Sequence, residues 1–137
     1  MGVELSMTYD GQLYCTATHD QSGSTIETEA PLDNGGKGER FSPTDLVGVA
    51  AGTCVLTIMG LVAQRNDLDI TGTTCHVTKE MASNPRRIAL LDITVTLPPG
   101  LALTPEQKQK LEKGGDLCPV KRSLHPDTEL RLAFVYP

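Results

Sequence analysis

The chain has 137 residues and a formal net charge of −5, with 12 Lys or Arg against 17 Asp or Glu. This length predicts a single domain over residues 1–137. The negative charge and the scattered basic residues exclude a general affinity for phosphate backbones, so no nucleic-acid partner is expected. Aromatic residues make up only 4% of the chain, so the core must be built mainly from aliphatic side chains.

The first residues of the chain lack the basic and apolar regions of a signal peptide, which predicts a cytoplasmic protein. One uncharged stretch, residues 46–63, has a borderline length for a membrane span. The rest of the chain alternates like a soluble β protein, which favours a buried core helix and no membrane contact. The four cysteines are irregularly spaced outside any secretory context, which predicts reduced thiols.

Three strands are predicted before the first helix. Residues 3–19 alternate between apolar and polar side chains around Asp10-Gly11, a strong two-residue turn signal, and predict a hairpin. A short third strand is predicted over residues 24–29. The Gly-rich and charged residues 31–40 predict a mobile surface loop.

A long helix is predicted to start at Ser42 and to end near Arg65. Ser42 is a good N-cap, Pro43 suits the first helical position, and Asp45 completes a capping box. The helix is apolar nearly all round, which is typical of a helix buried on several sides. In so small a chain, a second subunit is the expected cover.

The second half of the chain is predicted to return to strands. Residues 69–82 and 86–97 predict two long strands separated by a turn at Asn84-Pro85. A charged helix is predicted over residues 105–113 and a last strand over 129–136.

Two further signals lie between that helix and the last strand. Gly114-Gly115 is interpreted as the helix cap, and Cys118-Pro119 as the start of another short helix. The resulting order, β-β-β-α-β-β-α-α-β, predicts an α+β fold with helices packed against a largely antiparallel sheet.

Cys15 and Cys75 both fall inside predicted strands, where cysteine most often behaves as a small buried hydrophobe. A zinc site could recruit Cys75 together with Cys118 and His125. No C-x-x-C or H-x-x-x-H pair supports that site, so structural roles are favoured and no metal is expected.

Cys118 has a different setting, because the following proline places it at a helix N-cap. Backbone N–H groups and the helix dipole stabilise a negative charge there, and Lys121 and Arg122 would add to that effect. An unreactive cap residue is the alternative, and the sequence does not decide between the two.

Cys54 lies in the middle of the apolar helix, where position alone favours a structural role. The helix dipole offers little so far from the helix end. A reactive Cys54 would need a cation from elsewhere, in this chain or in a partner. The available candidates are Lys37, Arg40, Lys121 and Arg122.

Two motifs carry a resemblance to a known family. FSPTDLVGVAAGTCVLTIMG, residues 41–60, resembles the central helix of the OsmC/Ohr family of osmotically inducible and organic hydroperoxide resistance proteins. GGDLCPVKRSL, residues 114–124, resembles the family's second motif, a Cys-Pro at the start of a short helix. The order and separation of the motifs agree with the family, and the strand pattern extends the resemblance over essentially the whole chain.

The resemblance implies the OsmC-like fold, an intertwined homodimer and a site at each subunit interface built around a cysteine pair. By analogy with peroxidase members, Cys54 would be oxidised by an organic hydroperoxide, and Cys118 would then form a disulfide with it. An external dithiol, dihydrolipoamide in some relatives, would regenerate both thiols. The resemblance implies no metal, flavin or haem cofactor.

The chain departs from the peroxidase pattern in two respects, because the usual Glu is missing and no Arg precedes Arg40 in the sequence. Those members usually carry a Glu after the helix-start Pro, and this Glu holds an Arg over the thiolate. Thr44 stands there in this chain, followed by Asp45. Arg40 is therefore the predicted substitute for that Arg, with Asp45 as its orienting carboxylate. The S-P-T-D-L form resembles a less characterised branch of the family.

Two functions follow from this interpretation. The first is a thiol peroxidase for organic hydroperoxides in oxidative stress defence, with Cys54, Cys118, Arg40 and Asp45 as site residues. The apolar surroundings of Cys54 favour a substrate with an alkyl tail. The alternative is a non-catalytic protein that binds a small ligand or senses redox state, which the missing Glu favours.

Overall fold

The computed structural model describes residues 1–137 and contains six strands and three α-helices. In chain order they are β1 (Leu5–Gly11), β2 (Tyr14–His19), β3 (Thr25–Glu29), α1 (Pro43–Arg65), β4 (Thr74–Ala82), β5 (Arg87–Thr96), α2 (Pro105–Asp116), α3 (Pro119–Ser123) and β6 (Glu129–Val135). The predicted element order and the α+β class are confirmed. The contacts divide the chain into two units, Met1–Val47 and Gly48–Pro137.

The first unit contains an antiparallel sheet in the order β1-β2-β3. Its first turn differs from the prediction. Gly11 still pairs with Tyr14, so the turn consists of Gln12 and Leu13, which both have positive φ angles of 53° and 68°. The strand register shifts between Tyr9 and Gly11, and this irregularity carries β1 beyond the predicted turn at Asp10-Gly11.

The segment between β3 and α1 follows the outer edge of β3. It contains a short 3₁₀ turn, Leu32–Asn34, within the predicted loop, whose mobility stays a prediction. Phe41 then pairs with Thr28 in a parallel bridge, and the N–H of Glu29 donates to the Phe41 carbonyl at 3.0 Å. These contacts bring the residues just before α1 beside β3.

The predicted capping box at the start of α1 is confirmed. The Ser42 hydroxyl accepts a hydrogen bond from the Asp45 N–H at 3.1 Å, and the Asp45 carboxylate accepts one from the Ser42 N–H at 2.8 Å. Both donors would otherwise lack an intrahelical partner.

The second unit contains a sheet in the order β4-β5-β6. Strands β4 and β5 are antiparallel, whereas β5 and β6 are parallel. The strand predicted from residue 69 begins only at Thr74. Residues 70–73 form a turn instead, because both the N–H and the hydroxyl of Thr73 donate to the Ile70 carbonyl.

One face of α1 is buried, and the opposite face is exposed within this chain. The buried residues recur every three or four positions: Gly48, Ala51, Gly52, Val55, Met59 and Ala63. Gly48 and Gly52 lie against Val77 of β4, and a methyl group on Gly52 would come within 3.1 Å of the Val77 side chain. The expected burial on several sides is therefore not supplied by a single copy of the chain.

By length and composition α1 could also cross a membrane, since an 18-residue window of it has a mean hydropathy of 2.2. The core helices of globular proteins often have the same length and composition. Thr53 and Thr57 on the exposed face donate their hydroxyl hydrogen bonds to the carbonyls of Val49 and Thr53. The polar groups of this face are thus satisfied within the helix.

The interpretation of Gly114-Gly115 as a helix cap is wrong. Helix α2 begins with a complete capping box between Thr104 and Gln107, and it continues through both glycines to Asp116. Both glycines are buried. In the last turn of α2, α1 packs so closely that these two positions have little room for a side chain.

Candidate active site

The second unit brings Cys54 and Cys118 together. Cys54 lies on α1 and is half-buried, whereas Cys118 is at the N-cap of α3 and is only 1% exposed. The two side chains are near enough for Cys54 to raise the pKa of Cys118, and both are free thiols rather than a disulfide. Of the predicted site residues, these two form a direct pair.

The Cys118 thiol lacks the lowered pKa that was one of the two alternatives for its N-cap position. Burial raises the pKa of Cys118, and the nearby Cys54 side chain raises it further. The backbone N–H groups of Lys121 and Val120 act in the opposite direction without overcoming burial. Burial therefore favours the protonated form of Cys118.

The cap geometry at Cys118 is nevertheless as predicted. The Cys118 sulfur accepts a hydrogen bond from the Lys121 N–H at 3.4 Å. The Lys121 ammonium group instead pairs with Asp116 at 2.6 Å. Lys121 thus acts on the sulfur through its backbone, while its charge is shared with a carboxylate.

Arg40 lies in the first unit, held by two side chains that the sequence analysis did not identify. Its Nε lies 3.4 Å from a carboxylate oxygen of Glu27, and its guanidinium carbon is 4.3 Å from the centre of the Tyr14 ring. The side chain is 33% exposed. An ion pair and a cation–π contact together fix the direction of a side chain that is otherwise flexible.

The backbone of Arg40 is held by a third residue, Glu29. This side chain is 3% exposed, and one of its oxygens accepts hydrogen bonds from the N–H groups of Glu39 and Arg40. Its other oxygen is buried without a hydrogen-bond partner. A buried carboxylate therefore anchors the segment that carries Arg40.

The charge of Glu29 is favoured by these contacts. Burial by itself would raise the pKa of Glu29. The backbone N–H groups of Arg40, Glu39, Gly38 and Lys37 outweigh burial and hold the pKa below its ordinary value. No periodic or motif signal in the sequence marks this residue, because its partners lie eight to eleven positions further along the chain.

The Asp45 carboxylate belongs to the helix cap, where it accepts a hydrogen bond from the Ser42 N–H. The carboxylate that forms the ion pair with Arg40 is Glu27. The orienting role assigned to Asp45 stays a prediction. Glu27 could not be found from spacing alone, since it reaches Arg40 across the pairing of Thr28 with Phe41.

The remaining cysteines lie in strands, as predicted. Cys15 on β2 and Cys75 on β4 are both half-buried, and burial raises the pKa of Cys75. A methyl group on Gly52 would lie 3.2 Å from the Cys75 sulfur, so this thiol packs against α1. His125 pairs with Asp127, and the three residues of the zinc alternative do not gather into a ligand set.

A cavity of about 300 Å³ opens beside the C-terminal half of α1. Leu56, Gly60 and Ala63 line one side, and residues 68–73 line the other. Its lining combines apolar side chains with the polar side chains of Gln64, Asp69 and Thr71. This cavity could admit a small molecule of mixed polarity.

Comparison with known proteins identifies the family. The profile of the OsmC-like protein family matches residues 36–133, which include both cysteines of the pair. The chain therefore belongs to the OsmC-like protein family. A search among proteins with curated descriptions finds no match.

Solved structures agree with this assignment. A protein from Psychrobacter arcticus, provisionally described as an osmotic stress induced and detoxification response protein, is 41% identical with a TM-score of 0.89, over 95% of this chain and 93% of that one. An OsmC-like protein from Mycoplasma pneumoniae is 15% identical with a TM-score of 0.80, over 99% and 97% of the two chains.

A third structure carries a functional name. An organic hydroperoxide resistance protein from Elizabethkingia anophelis, with thiocyanate bound, is 15% identical with a TM-score of 0.77, over 100% of this chain and 97% of that one. At this identity the likeness shows the fold alone. The predicted OsmC-like fold is thus confirmed.

Proposed function

We propose that this protein is a thiol-dependent peroxidase that reduces organic hydroperoxides and serves in oxidative stress defence. The observation that carries the proposal is the close pairing of a half-buried Cys54 with a buried Cys118. Membership of a family that includes organic hydroperoxide resistance proteins supports the same conclusion. Two free thiols in contact are suited to form a disulfide after one of them is oxidised.

The first step assigns the attack to Cys54. Its thiolate attacks the terminal oxygen of the hydroperoxide, the O–O bond breaks, and the alkoxide takes a proton to leave as an alcohol. Cys54 becomes a sulfenic acid, so sulfur loses the two electrons that the peroxide gains. Cys54 takes this role because a peroxide can reach it, whereas Cys118 is 1% exposed.

The second step assigns the resolving role to Cys118. Its sulfur attacks the Cys54 sulfur, the S–O bond breaks, and the hydroxyl leaves as water with the proton of Cys118. The product is a Cys54–Cys118 disulfide. An external dithiol, such as dihydrolipoamide, then returns both sulfurs to thiols and is itself oxidised to a disulfide.

We further propose that the working form is a homodimer. The exposed face of α1 includes Val49 and Leu61, and β1 exposes Leu5, Met7 and Tyr9. A second copy of the chain would remove both apolar surfaces from water. Arg40 remains the proposed cation for Cys54, supplied by the same subunit or by its partner.

The test is a rapid-quench reaction of the purified protein with one equivalent of cumene hydroperoxide per subunit, followed by peptide mapping. We expect fast and stoichiometric formation of the Cys54–Cys118 disulfide. Cys54→Ser should leave the peroxide unconsumed, and Cys75→Ser is the matched control that should react like the natural protein. Persistence of both thiols beside unconsumed peroxide would refute the peroxidase.

A second function is favoured by one specific observation, the cavity beside α1. Under this alternative the protein binds a small molecule or senses redox state without turnover. The rate of thiol alkylation against pH separates the two functions. Cys54 should react well below the free-thiol pKa of about 8.5 in a peroxidase, and only near that pH in a ligand-binding protein.

A further inference from the structure

Gly114 and Gly115 lie in the last turn of α2, where that helix touches α1. A methyl group on Gly114 would lie 2.6 Å from Cγ2 of Val62, and one on Gly115 would lie 3.2 Å from Cγ1 of Val55. Both distances are shorter than ordinary carbon–carbon contacts. The two helices are thus as close as they are because these positions lack a side chain.

The neighbours of these glycines have little freedom to move away. Val55 and Met59 are fully buried on α1, and valine has one strongly preferred rotamer in a helix. Interiors are packed densely enough that an added methyl group must shift something. A side chain at position 114 or 115 would therefore push the end of α2 away from α1.

This contact lies beside both members of the cysteine pair. Val55, which touches Gly115, directly follows Cys54 in α1. Cys118 follows Gly115 by three residues, at the start of α3. Any displacement of the end of α2 from α1 is therefore passed to the two sulfur atoms.

We propose that Gly114 and Gly115 are positioning residues for the resolving step, because they hold Cys118 within bonding reach of oxidised Cys54. This inference rests on the proposed peroxidase. A disulfide requires Cβ atoms about 3.5–4.5 Å apart, so a displacement of the end of α2 changes how readily the two sulfur atoms can meet. Glycine also weakens a helix interior relative to alanine. Two successive glycines at 114 and 115 are therefore expected to have a role that offsets this loss of helix stability.

The proposal separates the two chemical steps. The glycines should not affect oxidation of Cys54, in which the peroxide gains two electrons and leaves as alcohol. They should affect only the next step, in which the Cys118 sulfur displaces hydroxide from the Cys54 sulfenic acid to give the disulfide and water. Slow resolution leaves the sulfenic acid exposed to trapping by dimedone or to further oxidation.

The experiment compares Gly115→Ala and Gly114→Ala with Gly48→Ala after one equivalent of cumene hydroperoxide. Gly48 is the matched control, because it is also a buried helical glycine but its methyl group would find ordinary contacts at 3.6 and 3.7 Å. We expect unchanged loss of the Cys54 thiol in all three variants. Disulfide formation should slow by at least about tenfold in the first two, with a dimedone adduct on Cys54.

A compensating variant guards against simple misfolding. Val62→Ala removes the methyl groups that position 114 would strike, so Gly114→Ala combined with Val62→Ala should regain most of the disulfide rate. If Gly114→Ala does not fold, Gly115→Ala carries the test, since its closest contact is the milder 3.2 Å. Natural rates of disulfide formation in both folded glycine variants would overturn the proposal.

A second measurement separates this proposal from the peroxidase itself. The equilibrium between the Cys54–Cys118 disulfide and its thiols is measured in a dithiothreitol redox buffer, which needs no peroxide. We expect the equilibrium constant for disulfide formation to fall by about tenfold in Gly115→Ala. If the equilibrium constant falls in Gly115→Ala but the natural protein does not react with peroxide, the peroxidase proposal is refuted while the positioning role of the glycines is supported. An unchanged constant would remove the positioning role.

Discussion

The Cys54–Cys118 pair and the Arg40 guanidinium are held by opposite kinds of contact. Around the thiols, close apolar packing sets the geometry, and Gly115 meets Val55 with no side chain between the helices. Around Arg40 the contacts are charged or polar, from Glu27, Tyr14 and Glu29. Apolar packing fixes the region of the cysteine pair, and electrostatic contacts fix the region of Arg40. Different substitutions should therefore affect the two regions.

The largest expected effect is the loss of turnover in Cys118→Ser. Serine is a good N-cap residue, so α3 should keep its start while the resolving sulfur is lost. Each subunit should then be oxidised once at Cys54 and stop. The measurement is hydroperoxide consumed per subunit with excess dithiol, and Cys15→Ser should turn over like the natural protein. Continued cycling of Cys118→Ser would mean that another thiol, in the protein or in the added dithiol, reduces the Cys54 sulfenic acid in place of Cys118.

The apolar packing of the second unit can be tested at Leu111, which is fully buried on α2. Leu111→Ala removes buried methyl groups and leaves a cavity, so the free energy of unfolding should fall by about 2–5 kcal/mol. Urea unfolding measures the loss. Leu32→Ala, at an exposed leucine, should change it by no more than about 0.5 kcal/mol. Equal losses would mean that Leu111 does not belong to the core.

Local patterns predicted much of this molecule. The capping box at Ser42 depends on residues three positions apart, and it was found from the sequence because helix starts are encoded locally. The order of strands and helices was predictable for the same reason. The two cysteines lie 64 positions apart, and their motifs were identified through resemblance rather than through physical reasoning about spacing.

Features that depend on distant contacts were missed. Gly114-Gly115 is an ordinary helix stop in sequence, and only the approach of Val62 shows why glycine is needed inside α2. The local helix cap left open whether the pKa of Cys118 falls, and burial, which depends on the whole fold, raises it. Glu27 reaches Arg40 through strand pairing, which spacing along the chain does not reveal.

Loss of the Arg40 side chain should change the reactivity of Cys54, by less than Cys118→Ser changes turnover. If Arg40 stabilises the Cys54 thiolate, Arg40→Ala should slow alkylation of Cys54 at neutral pH by about tenfold. Added salt should slow the natural protein in the same direction, because the Arg40 side chain is partly exposed. Lys37→Ala is the control with an unchanged rate. An Arg40→Ala variant with natural peroxide reactivity would rule out this role.

The smallest expected effect is a change in the pH dependence of stability at Glu29. The pKa of this carboxyl is held below its ordinary value in the folded protein. Its charge therefore stabilises the fold above the unfolded pKa of about 4.3, and that contribution is lost as the pH falls through the lower folded value. Glu29→Gln removes the titrating charge while keeping one oxygen to accept from the Arg40 N–H.

We therefore expect Glu29→Gln to be less stable than the natural protein at pH 7 and to approach it at acid pH. Urea unfolding at several pH values measures this difference, and Glu27→Gln, at a more exposed carboxylate, serves as the control with a smaller gap at pH 7. A gap at Glu29 that stayed constant with pH would mean that its size rather than its charge holds the backbone of Arg40. The region of Arg40 would then depend on packing at Glu29, as the region of the cysteine pair does, and the contrast between the two regions would not hold there.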